Sequence, residues 1–253
     1  MFFSKNLSKF KYLNHCFFSR KNGFSNGIYS SLNCGKGSKD EKKNILKNLE
    51  AVSNEMKIEL NNLILMNQTH SNKAIIVDNK NIKNEIFDSD ALVTNLKGVV
   101  LSVLTADCVP IILYEKNQKV VGCIHAGWKG AFNGVIENTL KKFEELGIDK
   151  NIYAAIGPCI GFDSYEVGEE FFEKFIYVNK KNKQFFVKKA DKKFLFDIRN
   201  YVSQKLELNG VKNIDNIDLD TFKDADNFYS YRRSQKLKEP DYGRCISTIC
   251  LKT

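Results

Sequence analysis

The stretch that decides the fold, Val99–Gly130, reads VVLSVLTADCVPIILYEKNQKVVGCIHAGWKG. Three apolar runs alternate with short polar segments, a pattern typical of buried strands joined by turns. The second and third runs flank EKNQK, so we expect a β-hairpin there. The polar interruption carries Cys108, and the third run ends in His125. We therefore expect Cys108 and His125 to meet at the ends of neighbouring strands.

Patterns on either side of this stretch predict a mixture of helices and strands. Ser38 and Glu41 fit a capping box at the start of a helix, and a second helix follows Gly130 and ends at Gly147. Because helices and strands do not alternate strictly, we predict an α+β (mixed α/β) fold rather than a doubly wound sheet. The chain has 253 residues, 43% of them hydrophobic, and no Gly/Ser-rich or Pro-rich linker. We predict one domain over residues 1–253.

Composition bounds the partners and the compartment. The formal net charge is +9, but the lysines are spread along the chain without a long basic block. We therefore expect no nucleic-acid partner, although such a surface would attract an anionic substrate. Seven cysteines show no paired spacing, and lysines interrupt every apolar run near the N-terminus. With no run long enough to span a membrane, the sequence predicts a reduced, cytoplasmic protein that does not enter membranes.

Three residues at predicted strand ends form a candidate metal site. His70, Cys108 and His125 come from separate segments, and two imidazoles with a thiolate match a zinc site with three protein ligands and an open fourth position. The residue pattern alone leaves an ordinary cysteine and two hydrogen-bonded histidines as the alternative. His15 lies among apolar residues and is expected to be structural. Cys123, two residues before His125, is expected to pack in the core beneath the site.

Long motifs, in a consistent order, cover nearly the whole chain. They are SRKNGFSNGIYSSLN, NQTHS, DALVT, TADCVPI, HAGWKG, IGPCIG followed by YEVG, and FYSYRR with GR. Together they resemble the YfiH/YlmD-like family, the bacterial branch of the laccase-domain proteins named as multi-copper polyphenol oxidoreductases. The resemblance implies mixed β-sheets sandwiched by helices, similar to the deamidase domain of cytotoxic necrotizing factor toxins. It also implies that His70, Cys108 and His125 are zinc ligands.

The resemblance implies purine nucleoside phosphorolysis as the activity. In this reaction phosphate cleaves adenosine, inosine or S-methyl-5′-thioadenosine to the base and the ribose 1-phosphate. It implies adenosine deaminase activity as well. The expected ligands are therefore a small-molecule nucleoside and phosphate, with zinc as the metal cofactor and copper as a second possibility. The sequence leaves the oligomeric state open.

Other functions stay open at this point. The three histidines of the chain cannot supply both a blue-copper centre and a trinuclear cluster, which excludes a true laccase. A lone His₂Cys site can hold copper, so weak copper-dependent polyphenol oxidation is not excluded. A metal-free cysteine hydrolase or deamidase with Cys108 as nucleophile and His125 as base is another alternative. A non-catalytic role is the last alternative.

Further residues are candidates for catalysis and substrate binding. Asp107, next to Cys108, is a candidate proton carrier for deamination; the alternative is a structural carboxylate that accepts backbone N–H bonds. Phosphate needs cationic or N–H donors, and a helix entry after HAGWKG would favour an anion. The candidate cations are Arg20, Lys129, Arg232, Arg233 and Arg244. For at least half of these we prefer a surface salt bridge. Trp128 is expected in the core rather than stacked on a base.

Two positions depart from the pattern of the family. Asn22-Gly23 stands where a double glycine is usual, and Asp220-Thr221 stands where a Cys-Thr pair is common. Neither touches the three predicted ligands. The second puts in doubt any role for a cysteine at that position.

Overall fold

The computed structural model describes residues 1–83, 86–117, 119–148 and 151–253. Within these ranges the helices are α1 (Lys5–Ser8), α2 (Lys42–Met56), α3 (Trp128–Asn133), α4 (Val135–Glu145), α5 (Glu169–Val178), α6 (Ile198–Leu208) and α7 (Tyr231–Leu237). The strands are β1 (Leu13–Phe17), β2 (Leu63–Ile64), β3 (Met66–Asn67), β4 (Ala74–Ile76), β5 (Phe87–Asp88), β6 (Ala91–Thr94), β7 (Val100–Thr105), β8 (Val109–Glu115), β9 (Val120–Ala126), β10 (Ile152–Ile156), β11 (Glu166–Gly168), β12 (Phe186–Ala190), β13 (Lys193–Phe196), β14 (Asn213–Asn216) and β15 (Cys245–Leu251). No helix in the described ranges is long and apolar enough to cross a membrane.

Two mixed sheets form the centre of the molecule. One has the strand order β1-β15-β7-β2 and the other the order β14-β10-β8-β9-β6-β4. Both contain parallel and antiparallel pairs. Smaller sheets join β11-β13-β12 and β3-β5.

Alternating side chains show that the two sheets pack face to face. Leu101 of β7 and Ile112 of β8 belong to one buried cluster between the sheets. Their neighbours along the chain face outward: Val100 packs with residues of α2, and Ile111 packs with residues of α4, α5 and α6. This period of two is what a strand buried on both faces requires. The predicted fold, mixed β-sheets sandwiched by helices, is confirmed.

Local predictions around the central stretch are largely confirmed. β8 and β9 form the expected antiparallel pair, with Pro110 opposite His125, although part of the predicted turn, residue 118, lies outside the described residues. The helix after Gly130 is interrupted at Gly134, whose φ of +94° separates α3 from α4. Gly147 follows the end of α4 with a φ of +81°, as expected of a glycine that terminates a helix.

The predicted capping box is wrong. α2 begins at Lys42, so Glu41 is its N-cap residue rather than the third residue of the helix. The Ser38 hydroxyl instead donates to the carbonyl oxygen of Gly35. A local bond to the backbone competes with the cap, as is common for serine.

His15 has the structural role that the sequence predicts. It lies in β1 and is 4% exposed, and its Nε2 accepts a hydrogen bond from the backbone N–H of Ser4 at 2.9 Å. Burial lowers the pKa of this imidazole to about 4, although the nearby charge of Asp215 acts in the opposite direction. His15 is therefore neutral at physiological pH.

We expect His15 to make the protein less stable as the solution becomes acidic. The buried imidazole stays neutral down to about pH 4, whereas an unfolded histidine takes up a proton near pH 6.5. The unfolded state therefore binds more protons between these values. The free energy of unfolding should fall by about 2 kcal/mol between roughly pH 7.5 and 5 because of this residue, which urea unfolding at both values measures.

The matched control is His15→Gln, whose amide oxygen can accept the bond from Ser4 without titrating. Between roughly pH 7.5 and 5, the free energy of unfolding of this variant should fall by about 2 kcal/mol less than that of the wild type. Parallel pH profiles for the two proteins would contradict the assignment.

Candidate metal centre

The structure brings the three predicted metal ligands together. His70 lies in the loop between β3 and β4, Cys108 in the loop between β7 and β8, and His125 in β9. The ligand atoms of the three residues all lie within 4.8 Å of one another. Cys108 Sγ is 3.6 Å from His70 Nε2, and the two imidazole centroids are 4.7 Å apart. These residues form a cluster able to hold a metal ion.

The position of His125 follows from strand pairing and one buried carboxylate. β9 pairs with β8 on one side and with β6 on the other, which buries His125 to 3% exposure. Its Nδ1 lies 2.7 Å from Oδ1 of Asp90, a fully buried residue directly before β6. Because Asp90 occupies Nδ1, Nε2 is the ring nitrogen left for a metal. Cys123, two residues earlier, is fully buried in the core between the sheets, as predicted.

His70 is presented by a loop that is tied down at both ends. Its backbone has a φ of +60°, a conformation uncommon for residues other than glycine. The Asp90 carboxylate accepts the backbone N–H groups of residues 69–71. Just before them, the Gln68 amide exchanges two hydrogen bonds with the backbone of Leu104 in β7. The loop is therefore fixed to β7 and to the residue directly before β6.

The donor set and its surroundings fit a metal ion. Tetrahedral zinc with ordinary bond lengths places a sulfur and a nitrogen ligand about 3.5 Å apart, close to the 3.6 Å between Cys108 and His70. A Cβ at Gly127 would lie 2.5 Å from the His70 ring and 3.1 Å from Cys108 Sγ. A residue with a side chain at this position would displace the ring of His70 or the sulfur of Cys108, so the geometry of the two ligands requires glycine. His70 is exposed and Cys108 partly exposed, so the centre opens to solvent on their side.

The electrostatics of the cluster favour a thiolate. Burial alone would raise the pKa of the Cys108 thiol, but the charges and hydrogen bonds of His125 and His70 lower it to about 6. Burial likewise opposes charge on His125, but Cys108 and Asp90 raise its pKa to about 9. A deprotonated sulfur is the form that binds metal. It is also the nucleophilic form.

Asp107 contacts the C-terminal part of the chain. It is 7% exposed and accepts hydrogen bonds from the hydroxyls of Thr221 and Ser230 and from the backbone N–H of Arg232, at 2.6 to 2.9 Å. Burial raises the pKa of this carboxyl group against the effect of these bonds. Such contacts are what the structural alternative requires. The proton-carrying role stays a prediction.

The structure brings two of the candidate cations together. Arg20 and Arg233 both line a cavity of about 230 Å³, with Tyr229 and Ser230 in its wall. Each guanidinium, however, already donates to three backbone carbonyl groups. These bonds give both residues a structural role in holding loops.

The remaining candidate cations do not line this cavity. Lys129 is exposed on the six-residue helix α3, and Arg244 stacks on Tyr242 at 4.5 Å. Arg232 donates to one carbonyl, that of Glu166, and its guanidinium lies 5.4 Å from the ring centroid of Tyr165.

Tyr165 lies beside Arg232 and close enough to the metal cluster for its pKa to respond to the charge of Cys108. Burial, followed by the charge of Cys108, raises the pKa of the Tyr165 phenol, so this ring lies within electrostatic reach of the sulfur.

Trp128 packs on Phe171, with the ring centroids 4.9 Å apart, which agrees with the expected core role.

Asp90, Gln68 and Tyr165 were not singled out as site residues by the sequence reasoning. Each falls in a motif quoted above, DALVT, NQTHS or YEVG. The available signal was a polar residue directly before or after a strand. That signal does not say which neighbour the side chain meets.

The two departures from the family pattern have local explanations. Asn22 adopts a φ of +65°, which asparagine tolerates better than most residues. A Cβ at Gly23 would lie 2.2 Å from the carbonyl oxygen of Ser31, so the second glycine cannot be replaced as easily. The carboxylate of Asp220 accepts hydrogen bonds from Gly161 N and the Ser164 hydroxyl, and thereby fixes the loop after β10.

Comparison with known proteins places the chain in a family. The model of the family described as multi-copper polyphenol oxidoreductase laccase matches residues 14–252. A purine nucleoside phosphorylase of Rickettsia prowazekii is 36% identical over 209 residues, which cover 82% of this chain and 85% of the relative. One from Haemophilus influenzae is 32% identical over 233 residues, covering 91% of each chain.

Solved structures agree. A Neisseria meningitidis protein superposes with a TM-score of 0.86 at 28% identity, covering 96% of both chains. The YfiH protein of Bacillus licheniformis gives a TM-score of 0.88 at 25% identity, covering 95% of this chain and 93% of the other. The chain therefore belongs to the laccase-domain family of YfiH-like proteins.

Proposed function

We propose that this protein is a zinc-dependent purine nucleoside phosphorylase that also deaminates adenosine. The observation that carries the proposal is the cluster of His70, Cys108 and His125, which offers three ligands and is open to solvent beside His70. The names of relatives at 36% and 32% identity supply the substrate class. The expected substrates are adenosine, inosine and S-methyl-5′-thioadenosine.

In this proposal zinc is held by the three ligands, with His125 oriented by Asp90. When bound, zinc supplies a Lewis acid for orienting the nucleoside and lowers the pKa of water for deamination. The exposed side of the cluster, at His70, admits the substrate. In phosphorolysis a phosphate oxygen forms a bond to the anomeric carbon while the glycosidic C–N bond breaks. The base leaves with the bonding electron pair and takes up a proton from solvent or phosphate, and the sugar 1-phosphate remains, as ribose 1-phosphate from adenosine or inosine and as its 5-methylthio derivative from S-methyl-5′-thioadenosine.

Arg232 is the cation that we place beside the phosphate. Its guanidinium lies over Tyr165 and, among the described residues, donates to a single carbonyl, that of Glu166, so it keeps more donors for a ligand than Arg20 or Arg233. Its backbone N–H is 2.6 Å from the carboxylate of Asp107, the neighbour of Cys108. We accordingly assign Asp107 a positioning role, because it joins the loop of a metal ligand to the start of α7.

A metal-free cysteine hydrolase is the second candidate. The pKa of Cys108 is lowered to about 6, and its Sγ lies 3.6 Å from Nε2 of His70. His125, the base expected from the sequence, has a ring nitrogen within 4.8 Å of the same sulfur, so a thiol and an imidazole are both present, as a cysteine nucleophile requires. Copper in the same His₂Cys set would give weak polyphenol oxidation instead. The chelation and alkylation experiment below separates the hydrolase from the zinc enzyme.

Incubation with nucleosides tests the reaction. Zinc-loaded protein should release hypoxanthine and ribose 1-phosphate from inosine only when phosphate is present, because phosphate is the nucleophile. Adenosine should yield inosine with or without phosphate if deamination occurs at the same centre. Chromatography of the products measures both. Failure to form any product from the three nucleosides would refute the proposed function.

Chelation and alkylation separate the zinc enzyme from the cysteine hydrolase. Removing zinc should abolish phosphorolysis, and adding it back should restore activity. In the metal-free protein, alkylation of Cys108 by iodoacetamide should rise with pH around a midpoint near 6, since the thiolate is the reactive form, and zinc should block it. Mass spectrometry measures the labelled fraction.

Cys108→Ser is the control for the labelled site, and Cys250→Ser, remote in β15, is the control for the substitution itself. Cys250→Ser should keep the labelling profile of the wild type. Phosphorolysis that survives complete removal of zinc, but is lost when Cys108 is alkylated, would contradict the zinc enzyme and favour Cys108 as a nucleophile.

Substitution of Arg232 tests the phosphate site. Arg232→Ala should raise the KM for phosphate by about 10- to 100-fold, as expected for loss of a hydrogen bond to a charged group, whereas the KM for inosine should change little. Arg232→Lys should be intermediate because it keeps the charge but not the planar fork. Lys236→Ala, on the same helix, is the matched control. An unchanged KM for phosphate in Arg232→Ala would reject this assignment.

A further inference from the structure

Asp90 is a fully buried carboxylate with an unusually complete set of donors. Its Oδ1 accepts from the backbone N–H of His70 at 3.1 Å and lies 2.7 Å from Nδ1 of His125. Its Oδ2 accepts from the backbone N–H of Thr69 and from both the N–H and the hydroxyl of Ser71, at 3.3, 2.6 and 2.6 Å. A buried charge is stable only when it is bonded in this way.

The first half of this network shapes the loop of His70. Consecutive N–H groups of residues 69–71 converge on one carboxylate, which is the arrangement of an anion-binding nest. The left-handed backbone of His70, with φ of +60°, costs about 1 to 3 kcal/mol unless its surroundings hold it. The three converging bonds supply that hold. Asp90 therefore places the backbone from which the His70 ring projects.

The second half orients His125. Its ring Nδ1 faces Asp90 Oδ1, and its backbone N–H donates to the Asp90 carbonyl oxygen at 2.7 Å. The carboxylate fixes the tautomer and the rotation of the ring. The backbone bond fixes the position of His125 along β9 relative to β6. Partners of this kind hold metal-binding histidines in other proteins. Here the same oxygen, Oδ1, serves both histidines.

We propose that Asp90 is the positioning residue on which both imidazole ligands depend, so that its loss weakens metal binding through His70 and His125 together. The proposal rests on the proposed zinc centre but not on the reaction that the centre catalyses. Among the described residues, the hydrogen-bonding partners of the carboxylate are residues 69–71 and His125, so we expect its effect on the metal to pass through the two histidines.

The test is zinc affinity, measured by competition with a chromophoric chelator and without any substrate. Removing a single partner of a metal-binding histidine weakens binding by about 10- to 100-fold. Asp90→Asn affects two histidines, so its dissociation constant should rise by at least about 100-fold. Ser71→Ala removes one donor of the nest and leaves the bond to His125, so its effect should be about 10-fold or less. Asp88→Asn, which alters a nearby exposed carboxylate bonded to Asn67, is the matched control.

A second readout separates positioning from general destabilisation. Cobalt in place of zinc reports the coordination geometry through its visible absorption, and thermal unfolding of the metal-free variants reports stability. Asp90→Asn should lose the tetrahedral cobalt spectrum while its metal-free form stays folded. Should this variant fail to fold, Asp90→Glu and Ser71→Ala provide the same comparison.

The outcomes are distinct. Wild-type protein that binds no zinc would overturn the proposed function itself. Wild-type protein that binds zinc, with a folded Asp90→Asn variant that binds it within threefold as tightly, would overturn only the role of Asp90. Where Asp90→Asn does not fold, an Asp90→Glu variant that binds zinc within threefold as tightly as the wild type would overturn it as well.

Discussion

The pairing of β9 with both of its neighbours is the constraint on which the rest of the structure depends. Pro110 of β8 stands opposite His125, and Ala91 of β6 stands opposite Ile124. This register brings the loop of Cys108 and the carboxylate of Asp90 to the two sides of one imidazole. A slip by one residue would turn His125 to the other face of the sheet. Strand register and metal site are therefore set by the same hydrogen bonds.

Much of this arrangement could be predicted because the central strands are apolar on both faces. The hairpin of β8 and β9 and the helical end at Gly147 follow from local patterns, and the structure has both. The three predicted ligands come together, but their choice rested on strand ends and on a family resemblance, since no short spacing joins them. Asp90 could not be predicted in its role because its contacts depend on how a loop and two strands meet. The capping box at Ser38 failed for a local reason, because the Ser38 hydroxyl donates to the carbonyl oxygen of Gly35, three residues earlier.

The C-terminal segment completes the site through Asp107 rather than through a ligand of its own. Bonds from Thr221, Ser230 and Arg232 converge on this carboxylate, which adjoins Cys108. Residues more than a hundred positions apart in sequence are therefore joined at one buried carboxyl group. Because each of these bonds is short, a shift of the start of α7 would be transmitted to the loop that carries the thiolate.

Gly127 imposes a limit of volume rather than of conformation. Its φ of −67° suits any amino acid, yet the space where a side chain would begin is filled by the ring of His70 and the sulfur of Cys108. Among related chains, a residue other than glycine here would thus mark a protein in which the first histidine has moved. Gly127 is not a metal ligand, yet its identity can distinguish relatives that keep this three-ligand geometry from relatives that lack it.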